Sequence, residues 1–141
     1  MRAIARLVEA YAEERDLALN GLGATTFRAT AKQAGLEPDE CYCLGKIKTV
    51  SDIALEVVLT SGGIDKLEIY RRLRVPEVWF WIESRFWIYV RGPRAYQERT
   101  RSALIPALDL DEIARIVVAA DDEQQTAVVR AYRRRLQRTV P

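Results

Sequence analysis

The sequence predicts an α/β (α+β) fold in which helices flank one mixed central sheet. Three observations support this: amphipathic stretches near both ends, a strictly alternating stretch near the middle, and two neighbouring aromatic stretches that are apolar on both faces. The chain has 141 residues, of which 49% are apolar and 30% charged. This is the length and composition of one soluble globular domain, so we expect a single domain over residues 1–141.

The first helix is predicted over residues 3–18. Ile4 and Leu7 begin an apolar arc at helical spacing, and charged residues occupy the opposite side. The segment 20–23, with two glycines, carries helix-stop and turn residues. The following stretch, 24–33, is rich in threonine and alternates loosely, which predicts a first strand.

Two further strands follow. A turn at Gly35 and Pro38 leads to a short strand over 39–44. The stretch 52–60 alternates most clearly, because every second residue is aliphatic and can form one buried face. That predicted face comprises Ile53, Leu55, Val57 and Leu59.

The second half of the chain predicts one helix, two aromatic strands, an edge strand and two terminal helices. A turn at 61–63 precedes a helix over 64–74, which ends near Pro76 because the residue before proline disfavours helix. The aromatic strands are apolar on both faces, which indicates a sheet covered on both sides. Glu83-Ser84 is a poor hairpin turn, so the register is not fixed by its residues. The remaining predicted elements are strands over 78–82, 86–90 and 95–101, and helices over 110–119 and 122–138, the last with Val128, Tyr132 and Leu136 inward.

Histidine and cysteine usage excludes several kinds of site. The chain has no histidine, which rules out histidine general bases, Ser-His or Cys-His pairs and histidine-bound zinc. Its two cysteines, Cys41 and Cys43, are too few for structural zinc and too close for an unstrained disulfide on a strand. Chemistry must therefore come from carboxylates, lysine, arginine or hydroxyls, with or without a hard metal ion.

Charge patterning leaves two interpretations of the C-terminal helix. The net charge is only +2, yet the last fourteen residues carry five arginines and no acid. A solvated helix face explains this alone, whereas a phosphate-contacting patch requires a neighbouring nucleic-acid site. The arginines are Arg130, Arg133, Arg134, Arg135 and Arg138.

Targeting features predict a cytoplasmic protein. Arg2, Arg6 and Glu9 stand where a signal peptide needs an uninterrupted apolar core. Apolar runs of membrane-spanning length do not occur in the sequence, so we expect no membrane partner.

Carboxylates on the predicted strand 52–60 mark the candidate site. Asp52 and Glu56 share one face, about 13 Å apart at ~3.3 Å per residue, together with apolar Ala54. A carboxylate on a covered face costs several kcal/mol unless it is paired or binds a cation. Lys66 lies on the apolar arc of the next predicted helix, and we expect it to pair with Glu56. A lysine that extends along the helix to water is the structural alternative.

A third acid is expected to join this cleft. Asp39 begins the strand 39–44 and shares a face with Cys41 and Cys43, although a turn residue after proline is the ordinary explanation. Oxygen ligands completed by water suit Mg²⁺ or Mn²⁺. Such an ion would activate water, and a lysine ammonium would stabilise negative charge at a phosphoryl centre.

These residues resemble a known family. The segments 37–40, 51–57 and 74–79, with Lys66 and Tyr70 between the last two, are similar to the bacterial Uma-type restriction-endonuclease-like family of the PD-(D/E)XK nuclease superfamily. The similarity covers roughly residues 1–105. It implies a restriction-endonuclease-like fold and a metal-dependent endonuclease that hydrolyses phosphodiester bonds, with DNA as the expected substrate.

The resemblance also implies roles for the candidate residues. Asp39 and Glu56 would bind Mg²⁺ or Mn²⁺, the Val57 carbonyl could be a third ligand, Lys66 would be the catalytic lysine and Asp52 an auxiliary acid and metal ligand. The superfamily's usual lysine lies two residues after the acid, where this chain has valine. Lys66 resembles a migrated replacement, as is typical of this family.

Other features carry alternatives. Glu14 is a weaker candidate for the site, and a catalytically inactive nucleic-acid-binding or protein-interaction module that kept the fold is the rival function. Glu77 and Tyr70 are interpreted as supports for strand and helix ends. The tryptophans of the aromatic strands are interpreted as core or subunit contacts, and cleavage of both strands of a duplex would favour a homodimer through them. These tryptophans are Trp79, Trp81 and Trp87.

Overall fold

A computed structural model describes residues 2–59 and 65–139, and it contains a six-stranded mixed sheet with helices on both faces. The strands lie in sequence order, β1-β2-β3-β4-β5-β6. Strands β3 and β4 are parallel, and all other neighbours are antiparallel. The predicted α+β class is therefore confirmed. The elements are α1 (Arg2–Glu14), β1 (Leu19–Gly21), α2 (Thr26–Gln33), β2 (Glu40–Leu44), β3 (Ile53–Val57), α3 (Leu67–Arg72), β4 (Glu77–Ile82), β5 (Arg85–Arg91), β6 (Tyr96–Arg99), α4 (Leu110–Ala119) and α5 (Gln125–Arg138).

The strand predicted over 24–33 is wrong, because this segment forms helix α2. The side chain of Thr25 accepts a hydrogen bond from the Arg28 backbone N–H at 3.2 Å and caps the helix. Phe27 and Ala31, four residues apart, are both buried. Capping and helical spacing outweigh the strand preference of threonine here. The segment predicted as a turn, 20–23, instead begins within the short edge strand β1.

Two predicted elements are shorter in the structure. Helix α1 ends at Glu14 rather than at residue 18, and Asp16 follows with a positive φ of 52°. Strand β3 ends at Val57, so Leu59 is 94% exposed instead of completing the apolar face. The predicted turn at 61–63 and the predicted helix start at residue 64 lie outside the described residues.

The β4–β5 hairpin has a tighter turn than its residues suggested. Ile82 pairs with Arg85, which leaves only Glu83 and Ser84 in the loop. Both have positive φ, 50° and 65°, as a type I′ turn requires. This turn type matches the twist of the strands, which explains why a hairpin closes without the usual Asn-Gly.

Helix α3 ends with two backbone hydrogen bonds and a strained residue. The N–H of Val75 donates to the Tyr70 carbonyl at 3.2 Å, and the N–H of Arg74 donates to the Arg71 carbonyl at 3.0 Å. This pair of bonds is the Schellman motif, in which the residue after the C-cap adopts a left-handed conformation. Arg74, with φ 65°, holds the position where glycine is usual.

The sheet separates two apolar layers. Helices α1, α4 and α5 pack on one face, which we call the terminal-helix face; its buried side chains include Tyr42, Leu55 and Trp79. Helices α2 and α3 pack on the other, the α2/α3 face, with Cys41, Ala54 and Phe80. Both faces are thus covered, as the aromatic strands predicted.

The tryptophans of the aromatic strands pack against other residues of this chain. Trp79 and Trp81 are buried on the terminal-helix face, and each stacks edge-to-face with Phe86. Trp87 is half-buried on the α2/α3 face, under the Arg85 guanidinium at 3.9 Å from the ring centroid. The core interpretation therefore holds for Trp79 and Trp81, whereas Trp87 stays partly exposed.

The C-terminal helix α5 lies on the terminal-helix face. Its buried residues are Val129, Tyr132 and Leu136, whereas Val128, predicted inward, is half-buried. Arg133 forms an ion pair with Glu13 at 2.7 Å. None of the helices in the described ranges is both long and apolar enough to cross a bilayer.

Candidate active site

The candidate site lies on the α2/α3 face, where β3 ends. In the antiparallel register, Glu40 of β2 pairs with Leu55 of β3. Continuing this register by one residue sets Asp39 opposite Glu56. Side chains alternate along strands, so Asp39 and Glu56 share the face of Cys41 and Ala54. Two carboxylates that are 17 positions apart in the sequence thus become cross-strand neighbours.

Glu56 is a buried carboxylate with a donor on each oxygen. The residue is only 2% exposed. The Lys66 ammonium donates to Oε2 at 2.8 Å, and the Tyr70 hydroxyl donates to Oε1 at 2.7 Å. Burial of a charge is tolerable when it is paired and hydrogen-bonded, and both conditions are met here.

Lys66 and Tyr70 reach Glu56 from one side of helix α3. Lys66 directly precedes the helix, and Tyr70 follows it by one helical turn, so both side chains point the same way. The Lys66 side chain remains 41% exposed, whereas Tyr70 is fully buried. The predicted Lys66–Glu56 pair is therefore present, and Lys66 does not extend away to bulk water.

Asp39 is exposed at the rim of this cluster. Its Oδ2 accepts the backbone N–H of Val57 at 2.6 Å, which ties the start of β2 to the end of β3. The Arg28 guanidinium of α2 donates to the carbonyl oxygens of Pro38 and Asp39 at 3.0 and 3.4 Å. These contacts fix the backbone and one carboxylate oxygen of Asp39.

Asp52 does not join the cluster. It precedes β3 at the opposite end of the strand from Glu56, and its Oδ2 accepts the Leu44 N–H at 2.8 Å and the Lys48 ammonium at 2.5 Å. Both acids were expected in one cleft because they share a face, but strand rise separates them. Asp52 acts in this structure as the closing bond of the β2–β3 connection.

Two other predicted features lie elsewhere. Glu14 accepts a hydrogen bond from Gln137 at 2.7 Å at the α1–α5 contact. The arginine-rich helix α5 packs against α1, on the terminal-helix face, so the sheet separates it from Glu56. The condition for a phosphate-contacting patch beside the site is therefore not met by these arginines.

The donor set is compatible with one hard divalent cation. Asp39 and Glu56 supply two carboxylates, and the Val57 carbonyl belongs to the residue directly after Glu56. Among residues 2–59 and 65–139, no group of three or more acidic, cysteine or histidine side chains could form a metal site by itself. Mg²⁺ commonly takes one or two carboxylates and fills its remaining positions with water and substrate phosphate oxygens, so this set fits.

Tyr70, interpreted from the sequence only as a support, is the second donor to Glu56. Burial, and the adjacent Glu56 carboxylate, raise the pKa of its hydroxyl far above the usual value, so it stays protonated and can only donate to Glu56. The available clue was its position four residues after Lys66 on the same apolar arc. Aromatic residues on such arcs are usually core, which is why Tyr70 was interpreted as a support.

The sheet and its cluster define a class of protein. A mixed sheet that presents an acid from one strand, a buried acid from the next and a lysine beside it is a restriction-endonuclease-like fold. The chain belongs to the Uma2 family, described as "Putative restriction endonuclease", whose model matches residues 2–119. No curated protein and no solved structure gives a significant match to the chain.

Proposed function

We propose that this protein is a divalent-metal-dependent nuclease that hydrolyses phosphodiester bonds, with DNA as substrate. The observation that carries the proposal is the ammonium of Lys66 at 2.8 Å from the buried carboxylate of Glu56, on the sheet face that also presents Asp39. Membership of the Uma2 family supports the reaction class. A structural ion pair alone would not require the exposed second carboxylate beside it.

Asp39 and Glu56 would hold the metal, Mg²⁺ or Mn²⁺. When bound, such an ion lowers the pKa of a coordinated water and neutralises charge on the phosphoryl oxygens. Asp39 is exposed and Glu56 is buried, so the pair spans from the solvent to the protein interior. This arrangement leaves the solvent side for water and for a phosphate group of the substrate.

Lys66 supplies the positive charge of the protein at this point. In the hydrolysis a water oxygen bonds to phosphorus, one phosphorus–oxygen ester bond breaks, and the leaving oxygen takes a proton. Negative charge rises on the phosphoryl oxygens as the water attacks. The half-exposed ammonium can turn from Glu56 towards those oxygens and stabilise them, because its flexible stem carries three donors.

Plasmid cleavage with matched variants tests the proposal. The wild-type protein, with Mg²⁺ or Mn²⁺, should convert supercoiled DNA to nicked or linear forms. Lys66→Met should lower the rate by about 10²–10³-fold, the usual effect of losing one charge-stabilising donor. Glu56→Gln should lower it by about 10³-fold. Lys48→Met removes a lysine–carboxylate pair of similar length at the other end of β3 and should cleave normally.

Equal cleavage by the wild type, Lys66→Met and Glu56→Gln would contradict the assignment. The rival is an inactive nucleic-acid-binding module, for which the exposed Arg130, Arg134 and Arg138 of α5 are the observation in favour. Calorimetric titration with Mn²⁺ separates the two functions. The nuclease predicts Mn²⁺ binding that is lost in Glu56→Gln, whereas the inactive module predicts no such binding. The inactive module also predicts that replacing these arginines weakens nucleic-acid binding and reduces its salt dependence.

A further inference from the structure

We propose that Tyr70 is a positioning residue, which holds Oε1 of Glu56 in the protein interior and thereby leaves Oε2 as the oxygen that faces ligands. This proposal deepens the proposed function and rests on it. Tyr70 itself touches neither substrate nor metal in this view. It acts through Glu56.

The two donors reach Glu56 from different environments. Tyr70 is fully buried and its hydroxyl lies 2.7 Å from Oε1. Lys66 is 41% exposed in its side chain and its ammonium lies 2.8 Å from Oε2. The two oxygens of one carboxylate are therefore distinguished by their partners. Oε2 is on the side of the partly exposed Lys66 ammonium.

The position of the Tyr70 hydroxyl is itself fixed. Its ring packs edge-to-face on Phe80, with centroids 6.4 Å apart, and Phe80 is the direct β4 neighbour of Glu56. The backbone carbonyl of Tyr70 accepts the Val75 N–H at 3.2 Å. The ring and the backbone of Tyr70 are thus both held.

Loss of this hydroxyl would free the carboxylate. A carboxylate that has only the Lys66 contact can rotate about its last side-chain bond, a torsion with broad preferences. Loss of the Tyr70 hydroxyl would also leave Oε1 of Glu56 buried without a donor, which favours rotation of that oxygen towards the Lys66 ammonium. Ligand oxygens that are held by a further hydrogen bond bind metal more tightly, and loss of such a bond typically costs about 10–100-fold in affinity or activity.

The test compares Tyr70→Phe with two other tyrosine-to-phenylalanine variants. Mn²⁺ affinity is measured by calorimetry, and kcat and KM are measured on plasmid DNA. We expect Tyr70→Phe to weaken Mn²⁺ binding about 10-fold and to lower kcat at saturating metal, with KM for DNA unchanged. Tyr96→Phe removes a partly buried hydrogen bond from the Tyr96 hydroxyl to the Val75 carbonyl beside α3, and Tyr42→Phe removes a hydroxyl with no hydrogen-bond partner in the described parts of the chain. Both should bind Mn²⁺ as the wild type does.

Failure of this proposal is distinguishable from failure of the proposed function. Wild-type Mn²⁺ affinity in folded Tyr70→Phe would overturn the positioning role while leaving the nuclease assignment intact. If the wild type binds no Mn²⁺, the nuclease assignment fails, and the role of Tyr70 in metal binding fails with it. The ¹³C resonance of the Glu56 carboxyl in the metal-free protein then decides whether Tyr70 orients Glu56. It should shift in Tyr70→Phe and not in Tyr96→Phe. Should Tyr70→Phe not fold, Tyr70→Met, which also lacks a donor, is measured in its place. We expect it to bind Mn²⁺ more weakly than the wild type, and an equal affinity would overturn the positioning role.

Discussion

Glu77 offers the sharpest test of how a buried carboxylate stabilises this fold. It is the first residue of β4 and is completely buried. Its Oε2 accepts the Trp79 indole N–H at 2.6 Å and the Ser102 hydroxyl at 2.5 Å. Its Oε1 accepts the backbone N–H groups of Ala103 and Leu104 at 2.9 and 3.2 Å. One carboxylate therefore anchors the segment that connects the sheet to α4.

The substitution Glu77→Gln keeps the size of the side chain but replaces one of its two acceptor oxygens by an NH₂ group. An amide has one oxygen, so its NH₂ must face two donors in either orientation. One buried donor without a partner costs about 1–3 kcal/mol, and neutral hydrogen bonds are weaker than those to a charged acceptor. Relief of the buried charge offsets a part of this. We expect a net loss of about 3 kcal/mol in the free energy of unfolding, or about 9 °C in Tm for a chain of this length.

Urea denaturation followed by tryptophan fluorescence measures this loss. Glu37→Gln, an exposed carboxylate in the loop before β2, is the matched control and should change the free energy of unfolding by less than about 0.5 kcal/mol. Ser102→Ala removes one of the four donors, and the double variant should be less destabilised than the sum of the single variants. A loss below about 1 kcal/mol in Glu77→Gln, or strict additivity with Ser102→Ala, would refute the reasoning.

Three further outcomes follow from particular residues. Arg74→Gly should raise the free energy of unfolding by about 1 kcal/mol, measured by urea denaturation, because glycine adopts the left-handed conformation without strain; a decrease would show that the arginine side chain stabilises the fold. Asp52→Asn should leave plasmid cleavage unchanged and cost less than about 1 kcal/mol, since it keeps an acceptor for the Leu44 N–H and loses mainly the partly exposed Lys48 pair; loss of cleavage would return Asp52 to the site. Burial raises the pKa of Cys41 to about 11, so the folded protein should resist alkylation at pH 8 until urea unfolds it, and its stability should fall as the pH rises from about 9 towards 11, where only the unfolded thiol ionises; rapid labelling of the native protein at pH 8 would contradict this.

Much of the fold could be predicted because its signals are periodic. The apolar arc of α1 and the alternation of β3 depend only on local sequence, and both elements appear at nearly the predicted positions. Helix α4 has the predicted bounds. The failure at α2 has a physical reason: threonine favours strands on average, yet Thr25 here uses its hydroxyl to cap a helix. This cap, together with buried Phe27 and Ala31 at helical spacing, outweighs the strand preference of the threonines.

The candidate site was predictable only in part, because its geometry depends on pairing that the sequence does not encode locally. A lysine on an apolar arc predicted the Lys66–Glu56 contact, since a buried carboxylate needs a partner. Asp52 was grouped with Glu56 because they share a strand face. The register of β2 against β3 sets Asp39, which was also expected in the site, beside Glu56 and leaves Asp52 at the other end of β3.

The position of the ammonium matters more than the position of lysine in the sequence. Val58, the position at which the resemblance implied the usual lysine, continues the pairing with β4 by donating its N–H to the Trp81 carbonyl at 2.9 Å, and its side chain packs in the α2/α3 layer. Valine therefore contributes to the core at this point, while Lys66 supplies the charge from the neighbouring helix. Coulomb energy depends on the distance between charges and on their surroundings. An ammonium 2.8 Å from Oε2 of Glu56 can therefore serve equally well whether its lysine stands at position 58 or at position 66. Moving the lysine back, in the double variant Val58→Lys with Lys66→Met, should thus restore part of the cleavage lost in Lys66→Met; no recovery in a folded protein would show that the helix supplies more than charge.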